Sequence, residues 1–410
     1  MTTPRSTLSN LRPNPDWASL PLFDRTGWKR VRFGDVVENC AETCDPTEAG
    51  LERVVAMEHL EPGSLHVRSW GNVADGTTCT RRWRPGQVLF GKRRAYQRKV
   101  AVAEFEAVVS GDIYVLAPKD TRRLLPELLP FLCLSERFFQ HAVGTSAGSL
   151  SPRTNWSSLA SFEFDLPPLD QQRRIAEILW AVDEVAVKFE DSLRAADEVQ
   201  TATLSSMFGS GQSSQRFKAV ALSEVARLQT GIAKGKQYPA SVKTIELPYL
   251  RVANVQDGHL NLAEMKTIVI PEAEKDRHLL RNGDVVICEG GDFDKVGRGA
   301  IWREQVADCL HQNHVFSLRA DSSRVLPEFL ALQLASPYGK RYFLGCAKKT
   351  SNLASINSTQ VKAFPFQVPP IKEQRAFISE VAKLQAARDA LETHTNATRN
   401  TLAALTNAIS

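Results

Sequence analysis

The chain carries one unit twice, and this duplication constrains its fold more than any other feature of the sequence. The closest match aligns residues 162–173, FEFDLPPLDQQR, with residues 364–375, FPFQVPPIKEQR. Three shorter matches, which begin at residues 28, 84 and 125, recur in the same order in the second half. Four ordered matches indicate a duplicated fold, so two similar halves are expected rather than one continuous core.

Each copy ends in a long helical pattern that follows a Pro-Pro pair. Residues 170–207 contain no Gly or Pro, and apolar residues recur there every three or four positions; the pattern returns at residues 372–409. A helix of about 38 residues is roughly 57 Å long at 1.5 Å per residue. Because so long an apolar stripe must be covered, we expect the two helices to pair as an antiparallel coiled coil. Two separate amphipathic helices, each packed on its own domain, are the alternative.

The part of each copy before its helix mixes short β-branched runs with Gly, Pro and short helical patterns. This indicates an α+β chain, in which two tandem α/β domains are separated by two long α-helices and related by an internal pseudo-twofold repeat. In order, we expect a flexible tail, a first domain, a central helix, a linker, a second domain and a C-terminal helix. Their predicted ranges are residues 1–24, 25–169, 170–208, 209–216, 217–370 and 371–410.

Composition excludes several classes of protein. The chain is 43% hydrophobic and 24% charged, which is typical of globular proteins and not of disordered ones. It has no apolar run of about 18 residues and no apolar signal segment at its start, so neither a membrane helix nor secretion is expected. Seven cysteines are an odd number that fits a reducing cytoplasm. The net charge of +5 is faint evidence for a polyanionic partner.

Fragments that resemble catalytic motifs fail on inspection. Residues 165–169, DLPPL, lack the aromatic residue of the Asp/Asn-Pro-Pro-aromatic motif of amino methyltransferases, and a leucine interrupts them. Residues 231–236, GIAKGK, are one residue short of a P-loop and lack its Ser or Thr. The cysteines and histidines within residues 40–44 and 309–314 have poor spacing for zinc. No catalytic residue, cofactor site or metal site is therefore predicted in this chain.

The first domain contains a concentrated basic segment. Residues 81–99 hold eight Lys or Arg and no acid, and Trp83 and Tyr96 are interleaved with them. Such a segment can contact phosphates and make aromatic contacts with the backbone or bases, although a solvated charged face is the alternative. The predicted DNA-binding residues of this segment are Arg81, Arg82, Arg84, Lys92, Arg93, Arg94, Tyr96, Gln97, Arg98 and Lys99.

The second domain offers looser candidates. Its predicted phosphate contacts are Lys234, Lys236, Lys295 and Arg298. Polar stretches occupy corresponding places in the two copies, at residues 145–155 and 350–360. Asn can read adenine through two hydrogen bonds, so these loops are candidates for base recognition, yet they could equally cap helices. The candidate base readers, besides Gln97, are Asn155, Asn352 and Asn357.

In combination, these motifs resemble the specificity subunits of type I DNA restriction-modification systems. The resemblance rests on the twin Pro-Pro motifs at residues 166–175 and 368–375, together with residues 247–258, 281–286 and 350–357. It extends from about residue 28 to the end of the chain and leaves out residues 1–24. One departure is Pro365, which stands where the first copy has Glu163.

The resemblance implies a non-catalytic subunit whose two target-recognition domains each read one half of a bipartite site in double-stranded DNA. It implies that the helices set the spacer between the halves and dock two methyltransferase subunits, which bind S-adenosylmethionine and methylate adenine. Two motor-nuclease subunits that use ATP and Mg are also implied, in a bacterial or archaeal cytoplasm. The alternatives are a specificity subunit of a phage-defence methyltransferase without a nuclease, a coiled-coil scaffold, and an enzyme with a disguised active site.

Overall fold

A computed structural model of the chain describes residues 24–209, 217–349 and 354–409. The chain divides into two compact units, residues 1–190 with 392–410 and residues 191–391. Because this division cuts both long helices, each unit holds one globular domain and part of each helix. Apart from Asp24 and Gly209, the predicted tail and linker lie outside the described residues. Within the part of the chain described, no helix is long and apolar enough to cross a membrane.

The described part of the first unit contains ten strands and four short helices before its long helix. The strands are β1 (Lys29–Arg32), β2 (Val37–Asn39), β3 (Arg53–Val55), β4 (Gly71–Asn72), β5 (Arg81–Trp83), β6 (Val88–Gly91), β7 (Val100–Val102), β8 (Ala107–Val109), β9 (Ile113–Pro118) and β10 (Glu163–Leu166). The helices are α1 (Phe33–Val36), α2 (Leu129–Leu134), α3 (Glu136–Gly144), α4 (Trp156–Ala160) and the long α5 (Leu169–Phe208).

The strands of the first unit form two four-stranded sheets and one pair. The main sheet has the order β2-β9-β6-β7 and is antiparallel throughout. The second sheet has the order β4-β3-β8-β5, in which β3 and β8 are parallel. Strands β1 and β10 pair with each other, which brings the two ends of the domain together at the start of α5.

The second unit repeats this plan with insertions. Its strands are β11 (Ala219–Ala221), β12 (Ala226–Thr230), β13 (Thr244–Leu250), β14 (Lys266–Pro271), β15 (Val285–Cys288), β16 (Gly290–Gly291), β17 (Gly299–Ile301), β18 (Leu310–His311), β19 (Val315–Ala320), β20 (Lys348–Lys349), β21 (Ala354–Ser355) and β22 (Pro365–Gln367). Its helices are α6 (Lys275–His278), α7 (Pro327–Ala335), α8 (Pro337–Cys346), α9 (Ser358–Lys362) and the long α10 (Ile371–Ala408).

The sheet topology of the second unit matches that of the first. The main sheet β12-β19-β15-β17 corresponds to β2-β9-β6-β7, and the pair β11-β22 corresponds to β1-β10. The parallel pair β13-β18 corresponds to β3-β8. Strands β16, β21 and β20 form an additional small sheet. The α+β fold class and the repeated organisation predicted from the sequence are therefore confirmed.

A shared turn shows how short sequence matches produce this repetition. Gly86 and Gly283 precede the equivalent strands β6 and β15, with φ angles of 86° and 89°. In both turns the residue after the glycine donates its backbone N–H to the carbonyl of the first residue, Arg84 or Arg281. A type II turn needs a positive φ at its third position, which glycine adopts without steric cost.

The two long helices pair within each unit. In the first unit, the rings of Phe189 and His394 stack with centroids 5.5 Å apart. In the second unit, the Gln200 amide donates to Gln385 at 3.1 Å. Nearby, Arg388 donates to Asp197 at 2.6 Å. In that unit, partners further along α5 lie earlier along α10, which is the antiparallel arrangement expected for a helix pair.

Candidate nucleic-acid interface

Much of the basic segment of the first domain lies in the loop between β6 and β7. Ala95–Gln97 form a 3₁₀ turn that is flanked by Arg94 and Arg98, whose φ angles are 52° and 56°. Non-glycine residues rarely adopt this left-handed region. The turn leaves Tyr96 54% exposed. Because strained backbone tends to occur at binding sites, this loop is a candidate contact surface.

Acids from elsewhere in the domain neutralise half of the basic side chains of this segment. The four pairs are Arg82 with Glu106 at 2.6 Å, Arg84 with Glu42 at 2.7 Å, Arg93 with Asp112 at 3.1 Å and Arg98 with Glu136 at 2.7 Å. None of these acids belongs to residues 81–99, so the sequence of the segment alone overstates the charge of this surface.

The other four basic side chains, Arg81, Lys92, Arg94 and Lys99, make no ion pair with an acid in the described part of the first unit. Arg81 donates to the Asn39 side chain at 2.9 Å, and Lys99 donates to a backbone carbonyl at 2.6 Å. The Nε of Arg94 is buried without a hydrogen-bond partner among the described residues. These side chains keep their charge available for an added anion.

Lys92 is the most perturbed of these cations. Its Nζ lies 4.9 Å from the centroid of the Tyr114 ring. Burial lowers the pKa of Lys92, and the charges of Arg81 and Arg153 lower it further, against the opposing effect of Asp112. Like charges have thus been brought together at a half-buried position, where a phosphate would favour the protonated amine.

The polar segment at residues 145–155 packs against this loop. Arg93 and Arg153 form an antiparallel backbone bridge, and the Arg94 N–H donates to the carbonyl of Pro152 at 2.7 Å. The Arg153 guanidinium also contacts Asp112, at 2.9 Å. The structure therefore joins the two candidate segments of the first domain into one surface.

The asparagines proposed as base readers serve as helix caps where they are described. The Asn155 side chain accepts a hydrogen bond from the Ser158 N–H at 2.8 Å, at the start of α4. The Asn357 side chain accepts from the Gln360 N–H at 2.9 Å, at the start of α9. Of the two roles left open by the sequence, the geometry favours capping. Asn352 lies outside the described residues.

The second domain has a corresponding loop at residues 289–298, between β15 and β17. Phe293–Lys295 form a 3₁₀ turn in which Phe293 is 43% exposed. Lys295 forms an ion pair with Asp292, and the Arg298 guanidinium donates to a backbone carbonyl at 3.3 Å. Strand β16 of this loop pairs with β21, which lies just before α9. In both domains, then, the loop of the main sheet contacts the polar segment that precedes a short capped helix.

The remaining candidates of the second domain lie apart from this loop in the chain. Lys234 and Lys236 are exposed in a turn after β12, and neither forms an ion pair within the described residues of the second unit. No hydrogen bond or ion pair joins these lysines to residues 289–298 in that part of the chain. Gln97 sits in the first-domain turn beside Tyr96.

Two residues of these surfaces were missed from the sequence. Arg153 lies within the polar segment at residues 145–155, of which the sequence predicts only Asn155 as a DNA contact. Phe293 is an exposed aromatic residue in a glycine-rich loop, as Tyr96 is in the first domain, and its position among Gly and Asp could have signalled it. Within residues 24–209, 217–349 and 354–409, no three His, Cys, Asp or Glu side chains gather as a metal site would require.

Comparison with known families gives a match in the first half of the chain. Residues 26–196 match a family described as the type I restriction modification DNA specificity domain. The EcoKI specificity subunit of Escherichia coli K12 is 26% identical over 306 residues, which are 69% of this chain and 64% of that protein. The StySPI specificity subunit of Salmonella potsdam is 23% identical over 302 residues, or 69% of this chain and 65% of that protein. The matches thus span slightly less than two thirds of these relatives.

Solved structures support the same fold. A chain from a structure of type I restriction-modification assembly and conformational transition has a TM-score of 0.56, with 21% identity over 93% of this chain and 96% of its own. A type I S subunit from M. genitalium has a TM-score of 0.55, with 12% identity over 95% and 98% of the two chains. The resemblance predicted from the sequence motifs is confirmed by the family match, and the fold class by these structures.

Proposed function

We propose that this chain, a specificity subunit of a type I restriction-modification system, is the non-catalytic component that recognises a bipartite DNA site. Each target-recognition domain reads one half of that site. The observation that carries this proposal is the repeated surface: in both domains a loop with an exposed aromatic residue contacts a polar segment next to the main sheet. Two similar surfaces with different side chains suit two different half-sites.

Phosphate contacts fall to the basic residues of both loops, and base contacts fall to side chains at their tips. Lys92 and Arg94 are the strongest candidates in the first domain, because no acid pairs with them in the described part of the unit, whereas Arg81 and Lys99 already donate to other groups. In the second domain, Lys234, Lys236, Lys295 and Arg298 remain the candidates. Tyr96 and Phe293 are candidates for apolar contacts with base edges in a groove, since their rings are exposed.

The paired helices set the spacer between the two half-sites and dock two methyltransferase subunits. Those subunits bind S-adenosylmethionine and methylate adenine, and two motor-nuclease subunits use ATP and Mg. This chain holds none of these cofactors, and the complex works in the cytoplasm. An alternative is a phage-defence methyltransferase of the same organisation without a nuclease. A coiled-coil scaffold is disfavoured by the match to a DNA specificity domain.

Methylome sequencing of a host that carries the intact system tests this proposal. Modified adenines are expected at one asymmetric bipartite site, and they should disappear when the gene for this chain is deleted and return when it is restored. An unchanged methylome in the deletion strain would contradict the proposal. The purified chain, incubated with DNA and either S-adenosylmethionine or Mg and ATP, should show no turnover; turnover would instead support the disguised enzyme.

A further inference from the structure

A buried glutamine joins the first domain to the start of its long helix. Gln172 lies in the first turn of α5, and its side chain is 1% exposed. Its amide oxygen accepts a hydrogen bond from the Leu125 N–H at 2.9 Å. Its amide nitrogen donates to the carbonyls of Arg123 and Pro167, both at 2.8 Å. One side chain therefore binds the helix start, the Pro-Pro turn and the domain.

The second unit contains the same arrangement, atom for atom. Gln374 lies in the first turn of α10 and is 0% exposed. Its amide oxygen accepts from the Leu326 N–H at 2.9 Å. Its amide nitrogen donates to the carbonyls of Arg324 at 2.8 Å and Pro369 at 2.9 Å. The duplicated motif thus preserves a set of three hydrogen bonds as well as a pattern of residues.

The backbone that these glutamines hold is the link between the main sheet and the first helix after it. In the first unit this link runs from β9 to α2, and in the second from β19 to α7. The links begin with matching turns: the Asp120 side chain accepts from the Arg122 N–H at 2.9 Å, and the Asp321 side chain accepts from the Ser323 N–H at 3.1 Å. Each glutamine therefore connects the long helix with the main sheet that carries the candidate DNA-binding loop.

Only a primary amide of this length supplies one acceptor and two donors without charge. An aliphatic side chain of similar size would fill the space but leave two carbonyls and one N–H unpaired. A glutamate would keep the acceptor and lose both donors. A need to fill the core therefore does not explain why these residues are glutamines. A need to fix the angle between helix and domain does explain it, because three directional hydrogen bonds restrain orientation.

We propose that Gln172 and Gln374 are positioning residues that set how precisely the spacer of the DNA site is measured. This inference rests on the function proposed above. If two domains must bind two half-sites together, any movement of a domain relative to its helix widens the range of spacer lengths that can be accepted. The glutamines restrict that movement without contacting DNA, so they affect the preferred spacer length and not the preferred half-site sequences.

The test uses the chain assembled with its methyltransferase subunits and duplexes in which the native spacer is lengthened or shortened by one base pair. Gln172→Met and Gln374→Met are compared with the wild type and with Gln385→Met. Gln385 is a matched control on α10, because its amide hydrogen-bonds to Gln200 and Asp389 and to neither globular domain among the described residues. The ratio of methylation rates at native and altered spacers should fall about tenfold in the two variants, since small misplacements cost large factors in rate.

The preferred half-site sequences should stay the same, and the control should keep the wild-type ratio. If the variants had a lower melting temperature but an unchanged ratio of methylation rates, the proposal would be overturned, since the glutamines would then only stabilise the fold. A wild type without any spacer preference would instead overturn the proposed function itself. If neither variant folds, hydrogen exchange in the wild-type complex decides: slow exchange of the Leu125 and Leu326 amides supports the restraint, and fast exchange refutes it.

Discussion

Asp183 and Arg399, 216 positions apart in the chain, meet in a buried ion pair at 2.8 Å. The Asp183 side chain is 1% exposed, and its second oxygen lies 2.9 Å from the His66 imidazole. Glu104 contacts the other nitrogen of His66, at 2.5 Å. Glu190 also accepts from Arg399, at 2.8 Å. The first globular domain and both long helices thus meet in one ionic cluster of the first unit, which ties the helix pair to that domain.

This cluster makes the stability of the first unit depend on pH on the alkaline side. Burial lowers the pKa of His66, but its contacts with Asp183 and Glu104 outweigh burial and raise the pKa from 6.5 to about 9. A raised folded-state pKa gives stability that is complete below pH 6.5 and is lost as the pH rises towards about 9. The loss should reach about 3 kcal/mol in the free energy of unfolding, measured by urea denaturation.

His66→Gln supplies the control for this prediction because its amide cannot titrate. The variant should be less stable than the wild type at pH 6.5, and the difference should shrink towards pH 9. Equal pH dependence in both proteins would show that His66 does not carry the effect.

The parts of this fold that can be predicted from the sequence are those set by residues close to each other in the chain. The long helices start at Leu169 and Ile371, next to the predicted positions, because a Pro-Pro pair excludes helix before it and the apolar period continues after it. Val199 falls on the apolar period of α5, yet it is 50% exposed. Periodicity predicts which face of a helix is apolar but not how much of that face is buried, because burial depends on partners distant in the chain.

The candidate site, like the fold, could be predicted from the sequence only in part. The basic segment and the polar segments were visible as composition, and the structure joins them in the first domain. Their charge balance was not visible, because acids such as Glu42 and Glu136 come from remote positions and neutralise Arg84 and Arg98. The roles of Asn155 and Asn357 stayed open for a related reason: a cap and a base reader have the same side chain, and only the position of the helix start distinguishes them.

The second unit should lose stability in acid. The His311 side chain is 1% exposed; its Nδ1 lies 2.6 Å from the Val315 carbonyl oxygen, and its Nε2 has no hydrogen-bond partner among the described residues. Burial lowers the pKa of His311 from 6.5 to about 4, and the charge of His278 adds to this. Between pH 6.5 and about 4, His311 binds a proton in the unfolded chain but not in the folded one. The free energy of unfolding therefore falls by about 3 kcal/mol over this range.

His311→Asn separates this effect from the protonation of carboxylates. The asparagine N–H can replace the Nδ1–H donor, and its amide does not titrate. The variant should therefore lose less stability than the wild type between pH 6.5 and 4 in urea denaturation, while parallel curves would contradict the prediction.

The cap at Asn155 can be separated from a role in base reading by a pair of substitutions. Asn155→Ala should lower the free energy of unfolding by about 1 kcal/mol, because the Ser158 N–H loses its acceptor. Asn155→Ser keeps a capping oxygen, so stability and the methylated target sequence should both be retained. A changed base preference with serine would show that the amide reads DNA as well as capping α4.

Lys92 should contribute one phosphate contact. Lys92→Met is expected to weaken binding to all DNA sequences alike and to reduce the slope of log affinity against log salt by about one unit. Wild-type affinity should also fall as the pH is raised, because the lowered pKa of Lys92 lets the free amine lose its proton. Arg122→Met is the matched control, since Arg122 is exposed and pairs with Asp120 away from the loop. A salt slope that stays at the wild-type value for Lys92→Met would remove this residue from the interface.

The role of the helices as a ruler predicts a change of target by a defined number of base pairs. Seven residues inserted after Glu190 in α5, and seven before Glu392 in α10, add two helical turns to both helices at the division between the units. The heptad keeps the same faces in contact. Each helix lengthens by about 10.5 Å at 1.5 Å per residue, equivalent to about three base pairs at 3.4 Å.

Methylome sequencing should then find the same half-sites separated by a spacer about three base pairs longer. Insertion in α5 alone is the control: it puts the helix partners out of register on one side of the insertion. Either Phe189 and His394 or Asp197 and Arg388 then separate, which should abolish methylation rather than lengthen the spacer. A doubly extended chain that still methylates the original spacer would show that the helices do not measure it. The separation would then have to be set by something other than helix length, such as the methyltransferase subunits.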